Sequence, residues 1–182
     1  MYNVEHTELS KLFTHVFSSL SPLSWEIREE NPENWVRLYS LPGGKRYPTN
    51  RFDRDEIFRR YNDISKFVFG RSPSKVYVYS PLERDSRFDK KYLFKCGDWS
   101  MINETSEFKI FGKIWKSYEE VSSKFLRFIA YDKIMPSIII NDNGQIIAPY
   151  DGGFDLFLKD PSTRDDAEAE FFEWVSKRND GL

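Results

Sequence analysis

Residues 137–158 read SIIINDNGQIIAPYDGGFDLFL, and the order of breaks along this stretch decides the fold class. Ser137–Asn141 and Gln145–Ala148 flank Asn143-Gly144, the dipeptide that best accepts positive φ at both central positions of a tight hairpin turn. A second break, Asp151-Gly152-Gly153, leads straight into the alternating run Phe154–Leu158. Neither break holds the dozen or more residues that a crossover between parallel strands needs, so the sheet is predicted antiparallel. The same reading predicts that Gly152 or Gly153 sits at positive φ, where a Cβ would cost roughly 1–2 kcal/mol. It also predicts that Asp151 accepts amides of its own turn.

On the C-terminal side, Asp160 followed by Pro161 is an N-cap with proline at the first helical position. The predicted last helix turns Ala167, Phe171, Trp174 and Val175 inward. On the N-terminal side, Ser117-Tyr118-Glu119-Glu120 has capping-box form and opens a helix burying Tyr118, Val121, Phe125, Phe128 and Ile129. Trp99–Ile102 and Phe108–Trp115 read as strands, with Gly112 as a bulge, and Leu82–Lys91 as a polar loop. Lys75–Tyr79 is a strand bracketed by Ser74 and Pro81. Asp53 caps a helix reaching Phe69 whose outer face pairs Asp55 with Arg59 and Glu56 with Arg60. Trp25–Arg28 and Trp35–Tyr39 alternate apolar with polar around Asn31-Pro32, which predicts a hairpin. Leu9, Leu12, Phe13, Val16, Phe17 and Leu20 form one face of a helix over Asn3–Ser19 that Ser21-Pro22 ends. No linker or repeat interrupts this order. The expectation is one α+β domain over residues 1–182: a mainly antiparallel sheet with about four helices packed on it.

Composition narrows the function classes. The 182 residues carry 27 Lys and Arg against 29 Asp and Glu, and 31% of them are charged, within the globular range. A net charge of −2 and a pI near 5.8 argue against nucleic acid as a partner. This holds even though Gly44–Lys75 is locally basic and Asp160–Leu182 locally acidic. The longest apolar run, Ile138–Ile140, is far short of the roughly 18 residues of a membrane span. Cys96 is the single cysteine, and the opening Met1–His6 lacks a secretory signal, so a reducing, cytoplasmic setting is expected. One Cys and two His assemble no metal set without carboxylates, His6 and His15 do not share a helix face, and no cofactor is implied. With 16 Phe, 10 Tyr and 5 Trp, the chain has aromatics for a core and for an interaction patch.

Two loops concentrate residues that do not read as packing. In Pro42-Gly43-Gly44-Lys45-Arg46-Tyr47, exposed amides and paired cations suit a phosphate, although the Walker pattern is absent. Equally, Lys45 and Arg46 contact nearby carboxylates in a solvated turn. In Ala148-Pro149-Tyr150-Asp151-Gly152-Gly153-Phe154-Asp155, the two aspartates suit a divalent cation or an acid/base pair if they face one another. Glu107-Phe108-Lys109 has the acidic-x-Lys form of metal-dependent nucleases, a tripeptide that chance supplies in so charged a chain.

Three segments resemble those of an uncharacterised family of small bacterial proteins. They are Trp35–Pro48, reading WVRLYSLPGGKRYP, then Pro149–Asp155, reading PYDGGFD, and Trp174–Leu182, reading WVSKRNDGL. The family's first segment has Glu-Ser where this chain has Gly43-Gly44, and His in place of Tyr39. No role that the resemblance rests on that Glu or His carries over to these positions. The resemblance brings no established activity. The residues favour a non-enzymatic domain that binds another protein, an immunity or antitoxin partner of a cognate toxin being the class that size and architecture suggest. Its expected binding residues are Lys45, Arg46, Tyr47, Tyr150, Asp151 and Asp155, and exposed aromatics are expected to cluster. The alternative is a domain acting on a phosphorylated small molecule through Lys45 and Arg46, with Asp151 and Asp155 moving protons or holding metal.

Overall fold

The computed structural model describes residues 4–17, 22–70 and 75–177. Its centre is a seven-stranded sheet in the order β1-β7-β6-β5-β2-β4-β3, every neighbouring pair antiparallel. The strands are β1 (Trp35–Tyr39), β2 (Val76–Glu83), β3 (Ser100–Glu104), β4 (Phe108–Trp115), β5 (Ile138–Asn141), β6 (Ile146–Tyr150) and β7 (Gly153–Phe157). The two turns of residues 137–158 generate β5-β6-β7, and in the first of them Gly144 takes φ 78°; Asn143 does not join it at positive φ as expected, because the loop spans the three residues Asp142–Gly144, with the Gly144 amide donating to the Asn141 carbonyl. The domain is α+β.

Alternation along the strands gives the sheet two apolar faces, which is why helices cover both. Val36, Leu38, Val76, Val78, Phe111, Ile139, Ile147, Phe154 and Leu156 face one core. That core is closed by α3 (Arg51–Phe69), α5 (Ser123–Ala130) and α6 (Pro161–Glu170), through Ile57, Tyr61, Ile64, Phe125, Ile129 and Ala167. Tyr77, Tyr79, Ile110, Ile138, Ile140, Ile146 and Phe157 face the other. There α1 (Val4–Val16) contributes Leu9 and Phe13, and α2 (Ser24–Glu30) contributes Ile27. The cap of α3 is Asn50, whose side chain accepts the Asp53 amide at 2.9 Å, and not Asp53 as expected; the expected helix ends at Asn3 and Ser19 lie outside the described residues.

Six α-helices are described against about four expected, and both additions correct the sequence reading. Trp25–Arg28 is helical, not a strand: Leu23 and Ile27, four apart, are the buried pair, a helical spacing that the local alternation hides. β1 therefore pairs with β7 instead of a local hairpin partner. Within the expected loop Leu82–Lys91, β2 continues to Glu83 and α4 (Arg87–Phe94) begins, anchored by the fully buried Leu93. Pro81 stays within β2 because β5 pairs only with Val76–Tyr79, so beyond Tyr79 a missing amide is tolerated. Ser117–Glu120 forms a 3-10 turn in which Glu120 accepts the Lys116 amide; α5 starts later, under the Ser122 side chain. The sheet irregularity lies in β3 between Met101 and Asn103, opposite the strand that carries Gly112.

The glycines of the β6–β7 turn are needed for a different reason from the one expected. Neither Gly152 nor Gly153 has positive φ. Gly153 lies opposite both Tyr39 and Tyr150, and a Cβ there would stand 2.0 Å from the Leu38 carbonyl oxygen. At Gly152 a Cβ would meet the Tyr150 ring at 2.8 Å, a side chain that can swing aside. Gly153→Ala is thus expected to force β1 from β7 and lower the melting midpoint by roughly 3–10 °C, since overpacking costs about 1–3 kcal/mol and each is worth about 2–4 °C here. Gly152→Ala should cost less than half as much in the same calorimetric scan.

Candidate functional site

The three sequence segments Trp35–Pro48, Pro149–Asp155 and the described part of the C-terminal one, Trp174–Lys177, come together at the β1 end of the sheet. β1 is flanked on one side by β7. On the other the chain returns after α6: the Tyr39 amide donates to the Trp174 carbonyl at 2.7 Å, the Ser176 amide donates to the Arg37 carbonyl at 2.9 Å, and Leu38 bridges Val175. Trp174 and Val175, expected on the last helix, lie beyond its end at Glu170 and protect this edge instead. Residues 178–182 lie outside the described residues.

Arg37 and Asp155 stand opposite each other in the β1–β7 register. The Arg37 Nε and Nη2 donate to the two Asp155 oxygens, each at 2.7 Å, with side-chain exposures of 11% and 3%. The Tyr150 ring covers the guanidinium at 4.4 Å, and burial pushes the Tyr150 phenol upward. Asp155 is therefore the fixed counter-ion of a planar fork.

The loop after β1 turns at Gly43 and Gly44, both at φ 69°, which brings the Gly44 backbone against the Tyr39 ring. The Ser40 amide donates to the Gly152 carbonyl, so the two Gly-Gly loops share one site. Lys45 and Arg46 diverge within it. Lys45 reaches Asp53 at 2.5 Å and the Thr49 hydroxyl at 2.8 Å; the Lys45 and Thr49 hydrogen bonds hold the Asp53 carboxyl down at about 2. Arg46 Nε reaches Asp151 at 2.5 Å, a bond that raises the guanidinium further. Asp151 is thus an ion-pair partner, correcting the expectation that it caps its own turn. The Tyr47 phenol is raised by partial desolvation and then by its hydrogen bond to Asp151. Asp132, the one described non-glycine residue at positive φ, adds negative charge beside this group.

Asp151 and Asp155 each hold a different arginine. The arrangement supplies neutralised carboxylates and exposed cationic and phenolic tips, with Arg46 65% exposed. Among the described residues no three His, Cys, Asp or Glu side chains gather as a metal-binding group. Lys109 of the Glu107-Phe108-Lys109 tripeptide faces Glu104 at 3.9 Å across the hairpin. Among large apolar side chains, Tyr47 at 42% exposure and Phe52 at 83% stand five residues apart; Phe94 and Phe172 are exposed on other elements. Most of the remaining rings line the two cores.

The sequence reading missed Arg60. Placed on the outer face of its helix with Glu56, it is 5% exposed instead: its Nε donates to Glu56 at 2.7 Å, its Nη1 donates to the Tyr39 carbonyl at 2.9 Å, and Trp174 lies 4.6 Å from it. The only signal was the Glu56/Arg60 spacing. Asp55 pairs with Arg51 rather than Arg59, and Arg59 bridges Glu56 and Asp63. Arg59 first and Arg60 after it hold Glu56 at about 2.

The fold and this cluster define an α+β domain whose conspicuous polar residues are knotted together at one sheet edge. The model of a family described as a domain of unknown function (DUF3885) matches residues 23–179, and the chain belongs to that family. No curated protein and no solved structure matches it. Among the described residues no helix is long and apolar enough to cross a membrane.

Asp155→Ala removes the fork that Arg37 is buried against and is expected to cost about 3–5 kcal/mol in urea unfolding, whereas Arg37→Leu with Asp155→Ala should recover most of it. Asp53 and Glu56 titrate near 2 when folded against usual values of 3.8 and 4.5. Because folding depresses both, their contribution is full above pH 4.5 and fades as pH falls toward 2. Glu56→Gln is therefore expected to be less stable than the parent at pH 7 and to converge with it near pH 2, read by denaturant titration at each pH.

Proposed function

We propose that this protein is a non-enzymatic binding domain, an immunity or antitoxin partner that neutralises a bacterial toxin by direct association in the cytoplasm. The observation that carries this reading is the commitment of the site's charges. Lys45, Arg46, Asp151 and Asp155 all serve intramolecular ion pairs, and each carboxylate has its own cation. A phosphate-binding or acid/base role needs those groups free and convergent. Held in this way they stiffen the loop 42–48 and the start of α3, from which Arg46, Tyr47 and Phe52 project into solvent. Tyr and Arg are enriched at energetic centres of protein interfaces, and a rigid loop lowers the entropy cost of presenting them.

The test is co-expression with the product of the adjacent gene. A stoichiometric complex by size-exclusion chromatography and relief of growth inhibition are the expected results. Tyr47→Ala with Phe52→Ala should keep the parent melting midpoint and weaken the complex at least about tenfold, a loss typical of interface anchors. No complex, together with Asp151-dependent hydrolysis of a phosphate ester, would establish the small-molecule alternative.

A further inference from the structure

Beside the loop 42–48, the first two turns of α3 and of α5 bound a groove of about 240 Å³. Its floor is apolar, from Pro48, Ile57, Phe58 and Leu126, and Arg54 and Arg127 stand at its sides, one from each helix. Neither arginine has a carboxylate within ion-pair distance among the described residues, in contrast to the ion-paired cations of the site next to it. The one carboxylate in the lining, Asp55, is turned to Arg51 at 3.5 Å.

We infer that this groove receives an acidic peptide segment of the protein partner, an apolar side chain on the floor and a neighbouring Asp or Glu between Arg54 and Arg127. The inference rests on the binding reading above and names the partner's chemistry. Size supports it. The volume equals roughly eight waters at about 30 Å³ each, too little for most cofactor-sized ligands, whose pockets run about 300–1,000 Å³. Charge supports it too: a guanidinium pair over an apolar floor rejects a basic segment and pairs carboxylates in fork geometry. Pro48, part of that apolar lining, follows a loop fixed by the Lys45–Asp53 and Arg46–Asp151 pairs, so the groove is preformed.

Fluorescence anisotropy of the full chain with two labelled heptapeptides tests this, one reading Gly-Glu-Leu-Glu-Phe-Glu-Gly and the other carrying Lys for each Glu. The acidic peptide is expected to bind at least about tenfold tighter than the basic one and to weaken as salt rises. Arg127→Glu, on an exposed position, and Arg54→Glu should each remove most of that preference, and Ser123→Trp should block the groove without touching its charges. Equal binding of both peptides, or binding indifferent to the arginine reversals, overturns the inference, as does sodium octanoate binding as tightly as the acidic peptide, which would mark a fatty-anion site. The partner complex separates the two levels: a complex that survives Arg54→Glu with Arg127→Glu sinks the groove and leaves the binding reading intact, while no complex from the parent chain sinks the binding reading itself.

Discussion

A guanidinium and a carboxylate withdrawn from water side by side, Arg37 against Asp155, set the terms for this end of the molecule. Desolvating both is expensive, and the two-bond fork together with the Tyr150 and Trp35 rings beside the guanidinium offsets that cost. The pair therefore works as a register lock. A slip of one residue would turn Arg37 toward the apolar face occupied by Val36 and Leu38, leaving both ions unpaired. With β1 pinned in that register, Tyr39 meets Gly153, the Ser40 amide meets Gly152, and the carbonyls and amides of the outer edge face Trp174–Ser176.

From this lock the polar cluster grows outward as linked pairs: Arg46 to Asp151, Lys45 to Asp53, Arg60 to Glu56 and the Tyr39 carbonyl. Each adds little alone where it is exposed, as surface ion pairs do. Together they tie a glycine-bearing loop, a sheet edge and the first turns of α3 into one body. That use of charge favours a presenting surface over a reactive one. Arg54 and Arg127, which line the neighbouring groove, lie beside the cluster and not inside it.

Where sequence and fold agree, a local signal coincides with the tertiary outcome. Asn143-Gly144 makes its turn, Asp160-Pro161 caps its helix, and Phe125 and Ile129 face a core. Disagreements fall where packing or a hydrogen bond that the residue pattern does not display decides the outcome. Trp25–Arg28 alternates like a strand, but Leu23 and Ile27 bury together only in a helix. The Ser117–Glu120 motif spends its glutamate on the Lys116 amide. Gly153 is demanded by the neighbouring strand, information that no turn statistic contains. The candidate residues were legible as residues, since Lys45, Arg46, Tyr47, Tyr150, Asp151 and Asp155 do fall in one cluster. Their pairing was not, because Arg37 and Arg60, which complete it, read as ordinary surface charges.

The remote partners of β1 bear on how the chain meets the ribosome. Arg37 emerges 118 residues before Asp155, and Tyr39 precedes Ser176 by 137. Throughout that interval the segment WVRLYSL is a nascent β-prone stretch whose own sheet has not yet been made, the kind of transient that invites association between neighbouring chains. Arg37 at its middle and Pro42 at its end then act as gatekeepers, a charge and a missing amide that discourage premature pairing. The residue that locks the finished sheet first serves to keep the unfinished one solitary.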